Sequence, residues 1–256
     1  MLNYVKSELY RITHSAALYI AALCFAAVPL LVNILLFCFD RFDPNFPYST
    51  TSFSYSNLVA NPMYFCIAAL FLVFALYEGN KRNGTLKNAV SSGISRGKIF
   101  AGQFAVCLMA SVVVLIVTVT VYILSAKLLL REAGPVLATD MVKEIFAVAP
   151  IAVAALILGI AVVQLFDKTY LGIFYWFCIL YFIPQILLYI GMEIEPIQEI
   201  AIWMPRNFFS TMEVNTQVCD PIWNKPLGLA TCLISGFVGI LVFGVLGTLA
   251  LRKKEF

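Results

Sequence analysis

The stretch IFAGQFAVCLMASVVVLIVTVTVYILSA, residues 99–126, runs 28 residues without an aspartate, glutamate, lysine or arginine. A helix of about 20 residues, rising 1.5 Å per residue, is enough to cross a hydrocarbon core. The run is long and continuous, where a barrel strand would be short and alternating. It therefore reads as a membrane-spanning helix that satisfies its own backbone hydrogen bonds.

The same signature repeats on both sides of this stretch. Residues 16–39, 58–77, 99–126, 145–166, 169–192 and 227–251 give six predicted spans, making residues 1–256 a single all-α, polytopic membrane domain. Composition agrees: 62% of the 256 residues are hydrophobic and 12% charged, with a mean hydropathy of +0.92, against about 45–50% apolar in soluble domains. The first span follows Lys6 and Arg11 but is too long for a cleaved leader and lacks a small-residue cleavage pattern, so it reads as a permanent anchor.

Lysine and arginine placement orients the spans. With both termini in the cytoplasm, the inner side holds eleven basic and four acidic residues, net +7, and the outer side six basic and ten acidic, net −4. The overall charge of +3 thus reflects bilayer polarity, and nucleic-acid binding has no support. At the amino terminus Leu2, Val5, Leu9 and Ile12 recur at helical spacing, predicting an amphipathic helix over residues 1–14 along the cytoplasmic surface. His14, the sole histidine, reads as a satisfied interfacial side chain.

The seven cysteines form no CxxC pair and have no histidine partner, so no metal site or disulfide framework is expected. They read as packing residues, with a Cys38–Cys219 bridge across the outer surface as a side possibility. Residues 40–57 read as an outer loop. Residues 193–226 mix four prolines with Trp203, Phe208, Phe209 and Trp223, which predicts short helices at the outer interface. That segment is either a packed cap or a cargo-contacting surface. Pro29, Pro150 and Pro184 are candidate kinks. Asn33, Gln103, Thr118, Thr120, Gln164 and Gln185 either knit helices together or face a cargo. Small residues, Gly236, Gly239, Gly244 and Gly247 in the sixth span with Ala155 and Gly159 in the fourth, permit close helix contacts within one chain or between two.

Immediately before the opening stretch lies a polar island, GTLKNAVSSGISRGK, residues 84–98. Leu86, Ala89, Val90, Gly93 and Ile94 share one helical face, and Lys87, Asn88, Ser91, Ser92 and Ser95 the other. Gly84-Thr85 supplies a start and Gly93 a stop, predicting a short helix over 84–94. From the residues alone it is either a distinct helix at the cytoplasmic mouth or a basic loop that fixes topology.

The longer segment YEGNKRNGTLKNAVSSGISRGKIFAGQF, residues 77–104, resembles the first cytoplasmic loop of the ABC type-2 permeases, the membrane subunits of ATP-binding cassette exporters. Members often carry an acidic residue ending the second span, then Gly-Thr, a short helix, a glycine and Ser-Arg. Here Glu78, Gly84, Thr85, Lys87, Asn88, Gly93, Ser95 and Arg96 stand at those places. Gln103 departs from the lysine that relatives frequently carry there. MPRNFF, around Pro205, is similar to a proline–aromatic patch of the family.

The resemblance implies that 84–94 is a coupling helix. Its ATPase-facing surface would comprise Thr85, Leu86, Lys87, Asn88, Val90, Ser91, Gly93 and Arg96, with Glu78 as the family's acidic residue. It also implies an ABC ATPase partner that holds ATP and Mg, a second permease subunit, surrounding lipids, and a bacterial plasma-membrane location. The chain carries no GxxxxGK[ST], HExxH or GxSxG, so neither an ATPase site nor a catalytic or metal site is expected. Spans without deep ionisable residues suit an amphipathic cargo such as a bacitracin-like or lantibiotic-like peptide. The alternative is a non-transporting membrane sensor or scaffold.

Overall fold

The computed structural model describes residues 2–43, 46–82, 89–210, 214–215, 218–219, 222–225 and 227–253. Its helices are α1 (Leu2–Thr13), α2 (Ala16–Phe42), α3 (Thr51–Ala60), α4 (Met63–Arg82), α5 (Arg96–Leu129), α6 (Ala138–Leu165), α7 (Thr169–Gly191, with a π turn at Cys178–Phe182), α8 (Glu195–Ile202), α9 (Pro205–Ser210) and α10 (Gly228–Lys253). Five are long and apolar enough to cross a membrane, and six crossings result if the bent pair α3 and α4 counts as one.

α6 is the axis of the bundle. In its most apolar window 72% of the residues are buried inside the protein, against 11% for α10. The other spans therefore pack around α6 and turn broad faces outward. A seam of small residues sets the tightest of these contacts. A Cβ placed on Gly236 would lie 2.4 Å from Pro150 Cβ, one on Gly239 2.9 Å from Ala154 Cβ, and one on Gly247 3.1 Å from Ala161 Cβ. These three glycines thus face α6 within the same chain, and close backbone approach maximises dispersion where lipid offers no hydrophobic driving force. Gly244 has nothing within 4 Å of such a Cβ. Gly159 points the other way, toward Val73 of α4.

The second predicted span, residues 58–77, is not one straight helix. α3 and α4 meet at Asn61-Pro62 with a bend of 71°. Proline lacks an N–H and drives the preceding residue out of the α region, and Asn61 takes φ −128°, ψ 61°. The expected outer loop 40–57 is accordingly corrected at both ends, since residues 40–42 belong to α2 and 51–57 to α3. This helix is capped by Thr50, whose hydroxyl accepts from Phe53 N at 3.2 Å.

α3 lies inside the protein although it is rich in hydroxyls, with Thr51, Ser52, Ser54, Tyr55, Ser56 and Val59 buried. The Asn33 amide of α2 makes this tolerable. Its Oδ1 accepts from Ser54 Oγ at 2.6 Å and its Nδ2 donates to Ser125 Oγ of α5 at 2.8 Å. Tyr122 Oη donates to the Ser54 carbonyl. Buried polar groups persist only when paired in this way, so Asn33 and Ser125 tie three helices together. Thr120 instead bonds back to Ile116 O of its own helix.

Glu144, read from the sequence as an outer-loop acid, is 1% exposed on α6. Its Oε2 accepts from Ile222 N at 2.7 Å, which fastens the 193–226 segment to the bundle axis. That segment contains the short helices α8 and α9, a two-stranded ribbon pairing Val214–Asn215 with Val218–Cys219, and a 3-10 turn at Ile222–Asn224. Asn207, at 0% exposure, donates to the carbonyls of Pro184 and Ala201, both at 2.8 Å. It thereby binds the segment to α7 just beyond the π turn. Cys66, Cys107 and Cys232 are buried, and Cys24 and Cys38 are free and exposed.

Candidate functional site

Residues near both chain termini meet at one end of the bundle, here the terminal end, where Tyr4 of α1 packs on Gly102 of α5 and Arg96 of α5 reaches Leu251 of α10. Residues 89–95, which lead into α5, lie there too. Within the polar island, Thr85, Leu86, Lys87 and Asn88 fall outside the described residues. Ala89, Val90 and Ser91 are helical.

That helical turn stops at Gly93, which takes φ +81°, a conformation that favours glycine because it has no Cβ. Gly93 N donates to Val90 O at 3.0 Å and Ile94 N to Ala89 O at 3.3 Å, the paired bonds that close a helix carboxy terminus. Ala89, Val90 and Ile94 are half-buried, while Ser91, Ser92 and Gly93 are exposed.

Two contacts flank the island. Glu78, the acidic residue near the end of α4, accepts from Thr169 Oγ1 at 2.8 Å. Thr169 is the first residue of α7, so the bond links the two spans across the turn at 166–168. On the other flank, Arg96 Nη1 donates to Leu251 O at 3.1 Å. A guanidinium near the last carbonyls of a helix satisfies an orphan acceptor and opposes the negative end of its dipole. The Arg96 bond therefore anchors the carboxy-terminal part of the island to α10, and the Glu78 bond ties the end of α4 to α7.

Just inside this layer, Gln103 and Gln164 are both buried, and Gln164 Nε2 donates to Gln103 Oε1, joining α5 to α6. Tyr77 Oη donates to Gln103 O at 3.1 Å. The glutamine thus supplies neutral hydrogen bonds where the resemblance leads one to expect a lysine. α1 covers this layer. Ile12 and Glu8 are buried, Arg11 Nη2 pairs with Glu8 Oε2 at 2.7 Å, and the Arg11 guanidinium sits 5.7 Å from the Tyr77 ring centroid. Burial, reinforced by the Glu8 charge, pushes the Tyr4 phenol well above its ordinary value. His14 follows α1, with Nδ1 2.8 Å from Tyr10 O and its ring tilted against Tyr10 at a centroid distance of 4.0 Å.

Sequence reasoning singled out Glu78 and Arg96 but missed their partners, Thr169 and Leu251 O. Nothing local marks either one, because the pairs are 91 and 155 residues apart. Among the described residues no group of three or more histidine, cysteine, aspartate or glutamate side chains could hold a metal.

Residues 4–204 match the family model described as "ABC-2 family transporter protein". No curated protein matches the chain.

Proposed function

The chain belongs to the ABC-2 transporter family, as a membrane permease subunit that works with a separate ABC ATPase, and from that premise we propose that it serves an exporter whose ATPase seats against residues 84–94. In this reading the terminal end faces the cytoplasm of a bacterial cell. Leu86 and Val90 meet the cleft of the ATPase, Lys87 faces its acidic rim, and Arg96 passes the movement to α10. The small residues Ser91, Ser92 and Gly93 permit close backbone approach, and Thr85 and Asn88 complete the surface.

One observation carries the proposal. Arg96 of the island bonds Leu251 O of α10, and Glu78, near the end of the span that leads into the island, bonds Thr169 of α7. A push on the island would therefore reach α10 directly and α7 through the end of α4. Amphipathic peptides, including peptide antibiotics, suit a bundle whose predicted spans lack charge in their central portions. The apolar outer faces of α2, α5 and α10 leave area for lipid and for a second permease subunit.

The test uses the permease purified with its ATPase in lipid nanodiscs. Leu86→Asp and Lys87→Asp are expected to reduce ATP hydrolysis by the complex to the rate of the ATPase alone, with the thermal midpoint of the permease unchanged. If both variants retain the ATPase and its full hydrolysis rate, the coupling role is wrong.

A further inference from the structure

At the end of the bundle opposite the termini, the far end, the Tyr55 hydroxyl is an unexplained polar atom. Tyr55 is 2% exposed, and its oxygen has no hydrogen-bond partner. Buried hydroxyls are ordinarily satisfied by protein or water. A cleft of about 410 Å³ opens beside it, lined also by Thr51, Lys127, Glu132, Gly134 and Leu137, a size in the usual range of small-molecule sites.

Backbone bonds hold the walls of this cleft. Thr51 N donates to Arg131 O at 3.0 Å, Arg131 N to Ser49 O at 3.1 Å, and Val136 N to Ser52 Oγ at 3.1 Å. Gly134 takes φ +100° and lies so close to α3 that a Cβ there would come within 2.4 Å of Ser52 Cβ. The loop is thus seated on α3.

The charges at the rim are the second observation. Arg131 is paired with Asp40 and Lys143 with Asp140. Lys127 and Glu132 are exposed, and among the described residues neither forms an ion pair. One cation and one anion therefore stand unmatched over a buried phenol. Leu137, which lines the cleft, is 57% exposed, and Leu128, next to Lys127 in the chain, is 82% exposed, giving the cleft an apolar flank.

We propose that this cleft binds the zwitterionic headgroup of an aminophospholipid, with the phosphate at Lys127 and Tyr55 Oη, the ammonium at Glu132, and the acyl chains along Leu128 and Leu137. An anionic headgroup would leave Glu132 unmatched and opposed, and a short peptide without long apolar side chains would leave Leu128 and Leu137 uncovered. The site lies apart from residues 84–94, and its reality does not depend on where the ATPase docks.

Isothermal titration of the purified permease–ATPase complex with dihexanoyl-phosphatidylethanolamine, dihexanoyl-phosphatidylglycerol and trialanine tests this. Saturable binding of the ethanolamine lipid is expected, at least tenfold tighter than the glycerol lipid, with no competition from trialanine. Tyr55→Phe should weaken binding about tenfold while leaving the thermal midpoint without lipid unchanged or higher, because it removes an unpaired hydroxyl. Glu132→Gln, at an exposed site that cannot compromise folding, should abolish the preference between the two lipids. Equal affinity for both lipids, displacement by trialanine, absence of saturable binding, or native affinity in both variants would each overturn the assignment.

Discussion

The far and terminal ends of the bundle are joined in contrasting ways. At the far end Asn33, Ser54, Tyr122 and Ser125 form a connected set of buried bonds among α2, α3 and α5, and Glu144 holds Ile222 to the α6 axis. At the terminal end the connections flanking the island involve exposed or half-buried side chains, Glu78 with Thr169 and Arg96 with Leu251 O. Removing one member of a connected buried set strands the others. Removing a partly solvated bond strands less. The terminal end has a buried set of its own, Gln103 with Gln164 and Tyr77, so the contrast lies between α3, held by buried bonds, and the flanks of the island, held by more solvated ones.

That contrast can be broken or sharpened by substitution, beginning where the effect is largest. Gly236→Val drives a side chain into the Pro150 backbone and should destabilise the bundle by about 3 kcal/mol, the upper end for overpacking, whereas Gly244→Val should leave the thermal midpoint near native. Asn33→Ala removes bonds to both Ser54 and Ser125. At about 0.6–1.7 kcal/mol for an interhelical hydrogen bond in a membrane, it should cost roughly 2 kcal/mol, read as a lowered midpoint in detergent. Glu144→Leu leaves the Ile222 N–H unpaired at about 1–3 kcal/mol, and should speed limited proteolysis within 193–226 before the spans unfold. Arg96→Ala should cost less than about 1 kcal/mol, as expected for a partly solvated contact, yet should uncouple ATP hydrolysis in the complex. A midpoint that falls as far for Arg96→Ala as for Asn33→Ala would erase that distinction.

Continuous apolar runs made most of the helices legible, because lipid demands that each span satisfy its own backbone. α3 was not legible. Its serines and threonines read as loop, since the partner that makes their burial affordable, Asn33, lies 21 residues from Ser54 and on another helix. Pro62 was the one local sign of the break. Asn207 carried no signal at all within MPRNFF, since its acceptors belong to α7 and α8. At the terminal end Gly93 was readable as a helix stop because its conformation is a local property. Arg96 and Glu78 stood out only through resemblance, and their structural partners required the fold.

Site-specific photo-crosslinking in native membranes tests the central claim most directly. Probes placed at Lys87 and Ser91, and on the far end at Leu137 and Ile200, are compared for adducts with the ATPase. Adducts from positions 87 and 91 and none from 137 and 200 are predicted. Adducts only from the far positions, or none from 87 and 91 while the ATPase remains bound, would contradict it.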